Sequence, residues 1–306
     1  MLDYHLHLWE HGPRSLDATI DQVAQYCQRA AAAGVTEIAL TEHFYRFEQA
    51  GALAGFWDDD PDPNLAHHMA RKWTEEQGAD LDRYVEVVLA AKAAGLPVVL
   101  GLEVDHYPDR MDKVASILAG YPFDVLLGSV HWIGAWGFDN LGVPAFAAEW
   151  DARSIESIWH SYTLALEELA DSGVCDVLAH PDLCAITGRM PVVPDEFYDR
   201  MADAAAGSGI AAEVSAAGWR KPLAAAYPAP ALLSRFGARG VPVTTASDAH
   251  SHDRVAERGD DLRSLLAAAG YENLAAFRGR RRHLVPIDAG VQTGDDQGRT
   301  MTTAER

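Results

Sequence analysis

The 306-residue sequence is poor in cysteine, in lysine and in positive charge overall. Its three cysteines, Cys27, Cys175 and Cys184, form no CxxC pair and no even-numbered framework, which speaks against a disulfide scaffold or a structural zinc knuckle and points to a reducing compartment. Lysine and arginine total 25 against 45 aspartates and glutamates, a formal charge of −20. That balance excludes a chain that holds nucleic acid or anionic membrane through a broad basic surface. No uncharged apolar run reaches the roughly 18 residues of a membrane-spanning helix. The opening residues, Met1 to His7, carry no basic segment followed by an apolar run, so the expectation is a cytoplasmic chain without a secretory signal. Hydrophobic residues at 48% and charged residues at 23% are an ordinary soluble composition, with ample material for a core.

What is present is an alternation. Short apolar runs recur at Leu2–Leu8, Val35–Thr41, Pro97–Val104, Phe123–Val130, Cys175–Ala179, Ile210–Val214 and Val241–Ala246. Alanine-rich stretches with apolar residues at helical spacing lie between them, among them Asp17–Ala33, Asp80–Ala94, Arg153–Ser172, Asp195–Ala206 and Ala229–Arg239. Several end in glycine, as at Gly34, Gly95 and Gly173, which matches a left-handed C-terminal cap. Strands alternating with helices long enough to cross over imply an α/β fold with a parallel sheet. Polar residues fall at nearly every strand end, which favours a closed, TIM-barrel-like arrangement over an open sheet with one switch point. Residues 1–288 are expected to form one barrel unit, and the polar tail 289–306 is expected to be disordered. The stretch Phe56–Glu76, with its Asp58-Asp59-Asp60 run, reads as a surface insertion, and His67 and His68 within it as part of a solvated loop.

The strand ends carry the chemistry. The first delivers His5 and His7, which a period of two places on one face, with His11 close behind. The second runs into His43, the third into Glu103, the fourth into His131, the fifth into His180, and the seventh into Asp248 and His250. Seven of the 13 histidines fall at these positions. Imidazoles mixed with carboxylates suit zinc, iron or manganese, so a metal site is the expectation.

With these residues in view, the chain resembles the PHP (polymerase and histidinol phosphatase) superfamily, and within it the histidinol-phosphate phosphatases, over residues 1–287. Segments that carry the resemblance are YPFDVLLGSVHWIGAW (Tyr121–Trp136), HPDL (His180–Leu183), AAGWRKP (Ala216–Pro222), YPAPALL (Tyr227–Leu233) and SDAH (Ser247–His250). The resemblance implies a distorted (β/α)7 barrel and three divalent metal ions. The first ion would take His5, His7, Glu103 and Asp248; the second would share Glu103 and add His131 and His180; the third would take His11, His43 and His250. It further implies a phosphomonoesterase acting on L-histidinol phosphate in histidine biosynthesis. Glu103, Asp248 and His250 would then serve the chemistry as well as the metals. The family pattern has basic residues shortly after HPDL, where this chain runs Cys184-Ala185-Ile186-Thr187.

Three divalent ions against Glu103, Asp248 and a bridging hydroxide leave a site near plus three by rough formal count, enough to attract a phosphate dianion to an acidic protein. Such ions lower the pKa of water to about 7, and direct attack by a metal-bridging hydroxide is the expected route. Arg220 is the first candidate for a phosphate contact because a guanidinium fork matches phosphate geometry, with Arg189, Lys221 and Arg254 behind it. Trp132, with Trp136 and Trp219, is a candidate wall for a substrate ring, and His252 a candidate proton donor to the leaving alkoxide. Alternatives are a phosphoesterase on another small phosphomonoester or on a phosphodiester, an amidohydrolase, and a non-catalytic metal-binding module. Binuclear amidohydrolases commonly carry a carboxylated lysine at the fourth strand, an end that His131 occupies here. The partner expected is a small phosphorylated substrate, without nucleic acid or membrane; oligomeric state is not legible.

Overall fold

The computed structural model describes residues 1–11 and 16–287; the expectation for the tail 289–306 lies outside the described residues. Seven parallel strands follow one another in sequence order: β1 (Leu2–Leu6), β2 (Glu37–Leu40), β3 (Val98–Asp105), β4 (Val125–Ser129), β5 (Val177–Leu178), β6 (Ala211–Ser215) and β7 (Val243–Ala246). Helices cross between them: α1 (Ile20–Ala32), α2 (Pro63–Glu76), α3 (Leu81–Ala93), α4 (Met111–Leu118), α5 (Pro144–Ala152), α6 (Ile155–Asp171), α7 (Asp195–Ser208) and α8 (Pro230–Ala238). After β7 come α9 (Gly259–Ala268) and an antiparallel hairpin, β8 (Asn273–Arg278) with β9 (Arg281–Pro286). The result is a distorted (β/α)7 barrel. Strand interiors are buried on both faces, which is why they read as continuous apolar runs rather than alternating ones.

The helix ends follow local chemistry. Thr19 caps α1 by accepting from Gln22 N, Asp80 caps α3 through Asp82 N, and Ser154 caps α6 through Ser157 N. Gly34 and Gly95 have φ of 75° and 84° just past α1 and α3, where a side chain would be strained and the chain must turn into the next strand.

Closure between β1 and β7 is not a full ladder. His7 N donates to Ala249 O at 2.8 Å, and Thr245 Oγ1 donates to Leu2 O at 2.7 Å. Asp3, buried at the start of β1, does the remaining work: its carboxylate accepts from Ser247 N and Ser247 Oγ, both at 2.7 Å, and from Ala256 N at 2.8 Å. Asp3, His5 and His7 share one face of the strand, so the residue that seals the seam also sets where the two imidazoles stand.

One expectation is corrected. Phe56–Glu76 is more than a surface insertion: α2 places Leu65, Met69 and Trp73 inward at four-residue spacing and brings Lys72 and Glu76 to the barrel mouth. Asp62 accepts from Asn64 N and Leu65 N with Pro63 at the first helical position, an N-terminal signature legible in the sequence. His67 and His68 therefore stand on a helix rather than in a loop. Among the described residues no helix is long and apolar enough to cross a membrane.

Replacing Asp3 with alanine strands three donors at the seam, the two of Ser247 buried and that of Ala256 partly so. We expect a loss of about 2–4 kcal/mol in urea denaturation of metal-free protein, and a change under about 0.5 kcal/mol would show that the seam does not depend on it.

Candidate metal centre

The C-terminal ends of the strands remain hydrogen-bonded as they reach the rim, which holds the side chains there in register. Thr41 N donates to Leu6 O, Glu103 N to Glu42 O, His106 N to Ser129 O and Ala179 N to Gly128 O, at 2.8–2.9 Å. Two ends depart from extended backbone. His180 has φ of 28° and Asp248 of 51°, in the left-handed region, and this turns both side chains out of the strand direction at the mouth. Aspartate tolerates that conformation better than most residues. At His180 it costs on the order of 1–3 kcal/mol, a strain of the kind that collects at functional sites.

Glu103 stands at the centre, fully buried. Its Oε1 lies 3.1 Å from His180 Nε2 and 3.4 Å from His131 Nε2. Its Oε2 lies 2.6 Å from His43 Nδ1, 3.3 Å from His5 Nε2 and 3.6 Å from His7 Nε2. The two oxygens thus face different histidine groups. Asp248 Oδ1 closes one side at 3.5 Å from His7 Nε2 and 3.5 Å from His250 Nδ1. His250 stacks on His7 with ring centroids 4.0 Å apart, and His11 on His250 at 4.4 Å.

A metal cluster is testable on buried polar atoms that lack a hydrogen bond. His5 Nε2, His7 Nε2, His43 Nδ1 and Glu103 Oε2 are buried and make no hydrogen bond among the described residues, a costly state unless something binds there. Four overlapping sets bring ligand atoms within 4.8 Å of one another: His5, His7 and Asp248; His5, Glu103 and His180; His43, Glu103 and His131; His7, His43 and His250. Imidazole nitrogens with carboxylate oxygens at this density fit divalent ions.

Behind these stand residues that motif reading passed over. Glu213 on β6 accepts from His5 Nδ1 at 2.7 Å, and Asp105 on β3 from His131 Nδ1 at 2.6 Å, each leaving Nε2 free to face the centre. Glu42 Oε2 lies 3.5 Å from His7 Nδ1 and accepts from Arg46 Nη1 at 2.9 Å. Arg46, wholly buried, also reaches His11 Nδ1 at 3.0 Å. The period of two is the available signal: Asp105 follows Glu103, as His7 follows His5. These carboxylates make the centre less positive than a count of Glu103 and Asp248 alone implies.

Protonation follows from burial and neighbours. Burial opposes charge on Glu103, yet His43, His5 and His131 hold it well below the usual carboxylate range. Burial depresses His43 and His250 well below the ordinary imidazole range, which favours the unprotonated ring that metal binding requires. Burial pulls His131 down as well, but Glu103 and Asp105 override it and raise it to about 9.

The centre opens into a cavity of about 210 Å³, lined by His43, His131, His180, Asp248 and His250 with Tyr45, Lys72, Asp139, Lys221 and Tyr227. The structure brings His11, Trp132 and Lys221 to this cavity. Arg220 does not line it; its guanidinium donates to Ser247 O at 3.0 Å and Asp248 O at 2.7 Å and pairs with Glu257, so it braces the loop after β7. Arg189 is taken by Trp150 O and Asp151 at the surface, and His252 by Gln25 O in an exposed turn, so neither reaches the cavity. Arg254 pairs with Glu257. Trp136 is packed against Trp150 and is a core residue, while Trp219 lies under the Arg258 guanidinium. Lys72, which sequence reasoning missed because its helix was read as an insertion, is held by Tyr45, 3.3 Å from its hydroxyl and 4.7 Å above its ring.

Residues 3–217 match the family model of the PHP domain. The chain belongs to the PHP domain family. It is 35% identical to a probable histidinol-phosphatase of Deinococcus radiodurans over 261 residues, which span 84% of this chain and 90% of that protein. A crystal structure of histidinol phosphate phosphatase from Lactococcus lactis, complexed with zinc, L-histidinol and phosphate, superimposes with a TM-score of 0.68 at 21% identity, covering 92% of this chain and 98% of that one. At that identity the superposition bears on the fold, a PHP barrel.

Stripping divalent ions with a chelator should lower thermal stability, and restoring an ion to about 100 times its dissociation constant should return about 2.7 kcal/mol. Because His131 must give up its proton to become a ligand, apparent metal affinity should rise with pH toward about 9. Glu213→Gln and Asp105→Asn remove no nitrogen from the centre but should weaken metal binding about 10- to 100-fold in competition with a chromogenic chelator.

Proposed function

We propose that this PHP-family chain is a metal-dependent phosphomonoesterase that hydrolyses L-histidinol phosphate to L-histidinol and phosphate, a step of histidine biosynthesis. The observation that carries the reading is Glu103, a buried carboxylate whose two oxygens serve separate groups of imidazoles at the floor of a small cavity. The extended identity to a probable histidinol-phosphatase supports the substrate.

The grouping we favour has three divalent ions: one held by His5, His7, Glu103 and Asp248, a second by Glu103, His131 and His180, and a third by His11, His43 and His250. The sharing of His5, His7, His43 and Glu103 between ligand sets supports several ions in one cluster. His11 has its Nδ1 occupied by Arg46, which leaves Nε2 as its donor. Zinc, manganese and iron all suit this mixture. When bound, such ions supply an activated water near neutral pH and positive charge for the phosphoryl oxygens.

The chain's own residues divide the remaining work. Glu103 stays ionised and ties the ligand groups together. Glu213 and Asp105 accept from Nδ1 of His5 and His131 and so fix which nitrogen faces inward. Lys221 and Lys72 are the lysines on the cavity wall, and Lys221 is the one we assign to the phosphate, since Lys72 is already held by Tyr45. Trp132, braced by Phe56 at a centroid distance of 4.8 Å, and Tyr227 give the cavity an aromatic side for the imidazole of the substrate. A cavity of about 210 Å³ suits a small ester better than a polymer strand.

Assay of a panel of phosphomonoesters with manganese, iron and zinc should find L-histidinol phosphate the preferred substrate. His131→Ala should lower kcat/KM about 10²- to 10³-fold, equivalent to several kcal/mol of charge stabilisation. Full activity in that variant, or a panel on which L-histidinol phosphate is not turned over, would sink the corresponding part of the reading.

A further inference from the structure

The loop between β4 and α5 is firmly anchored except at one side chain. Asp60 Oδ2 accepts from Ala135 N at 2.7 Å, Phe146 O from Trp136 Nε1 at 2.8 Å, and Phe138 O from Trp150 Nε1 at 2.9 Å. Backbone turns continue through Asn140 N to Gly137 O and Val143 N to Asn140 O, both at 3.1 Å. The loop therefore has one well-defined course past the cavity; Asp139 joins it through its carbonyl, which accepts from Leu141 N at 3.1 Å, and its side chain is left out. The Asp139 carboxylate lines that cavity, and its Oδ1 is buried without a hydrogen-bond partner among the described residues.

Asp139 is half-buried as a residue, and only one of its two carboxylate oxygens is shut off from water. A carboxylate oxygen held out of water without a donor is unfavourable. The nearby cation does not relieve it by contact, because the Lys72 ammonium is engaged by the Tyr45 hydroxyl and ring. Nor is Asp139 among the residues whose donor atoms converge as a possible metal set. What remains is a carboxylate on the cavity wall with no hydrogen-bond donor of its own, beside a centre that on the reading above takes the phosphate end of a substrate. A cation carried by the substrate is the group that completes it.

We infer that Asp139 is a specificity-determining residue that accepts the protonated amine of an amino-alcohol phosphate, so that the cavity selects phosphomonoesters with an ammonium close to the ester. The inference rests on the phosphomonoesterase reading above and adds to it the residue that distinguishes the substrate from an uncharged ester of the same shape. A charge-assisted hydrogen bond formed only by the amine ester makes the preference a ratio between two substrates.

The test compares L-histidinol phosphate with its des-amino analogue, 3-(imidazol-4-yl)propyl phosphate, on manganese-loaded full-length protein. The wild-type protein should favour the amine ester by about 10- to 100-fold in kcat/KM, and Asp139→Asn should bring that ratio close to one, chiefly through KM. A wild-type ratio near one overturns the inference without any variant, so it does not depend on how Asp139→Asn folds. A variant that keeps the wild-type ratio, whether both activities fall in parallel or neither does, overturns it as well. If L-histidinol phosphate is not turned over but another amine ester such as O-phosphoethanolamine is, the substrate reading fails. The same ratio, taken then against a des-amino ester, still decides the role of Asp139. If the preferred ester carries no amine, both fail.

Discussion

A single buried carboxylate organises this molecule. Glu103 lies within 3.6 Å of imidazole nitrogens from His5, His7, His43, His131 and His180, which come from β1, the end of β2, the end of β4 and the end of β5. An anion so far from water is sustained only by positive charge or strong donors around it. In the metal-free chain partly protonated histidines fill that role, and divalent ions would replace those protons. The barrel exists, in this sense, to bring β-strand ends from around its circumference to one point. Asp3 seals the β1–β7 seam two residues before His5, so closure and site geometry depend on the same short strand.

The outer ring explains why the centre can be both stable and reactive. Each of Glu213 and Asp105 holds one imidazole by its Nδ1, and Glu42 is shared between the backbone after β1, His7 and Arg46. These side chains are wholly buried and could not be left without partners. The imidazoles are therefore oriented by the fold itself, which is the condition for electrostatic stabilisation without reorganisation during reaction. The acidic exterior does not help here: on the proposed reading, attraction for a phosphate comes from the centre and from Lys221 on the cavity wall.

Much of this was legible in the sequence because barrel physics leaves a mark there. Apolar runs ending in His, Glu or Asp, with Gly34 and Gly95 between helix and strand, identify parallel strands whose C-terminal ends carry function. His5 and His7 declare their shared face by spacing alone. Other features left a weaker mark. The run Asp58-Asp59-Asp60 gives the segment a surface character that masks the Leu65, Met69 and Trp73 stripe of α2, and with it the position of Lys72. Arg220 occurs where a phosphate ligand is plausible, but carbonyl oxygens at a strained turn after β7 satisfy it, a demand that depends on backbone geometry rather than on residue type. Glu213 and Asp105 lie inside apolar strands, where a carboxylate is visible but its partner, brought from another strand, is not. The β8–β9 hairpin was not anticipated; Arg280, at its turn, is tied to Asp176 ahead of β5, a pairing 104 residues apart in the chain.

The most direct test of the account is a metal-loaded crystal structure with anomalous scattering collected for the bound element. Glu103 should bridge two ions, with one metal about 2.0–2.2 Å from Oε1 beside His131 and His180, and another at that distance from Oε2 on the side of His5 and His7. Anomalous peaks that leave Glu103 without a metal contact, or a single ion touching only one of its oxygens, would contradict it.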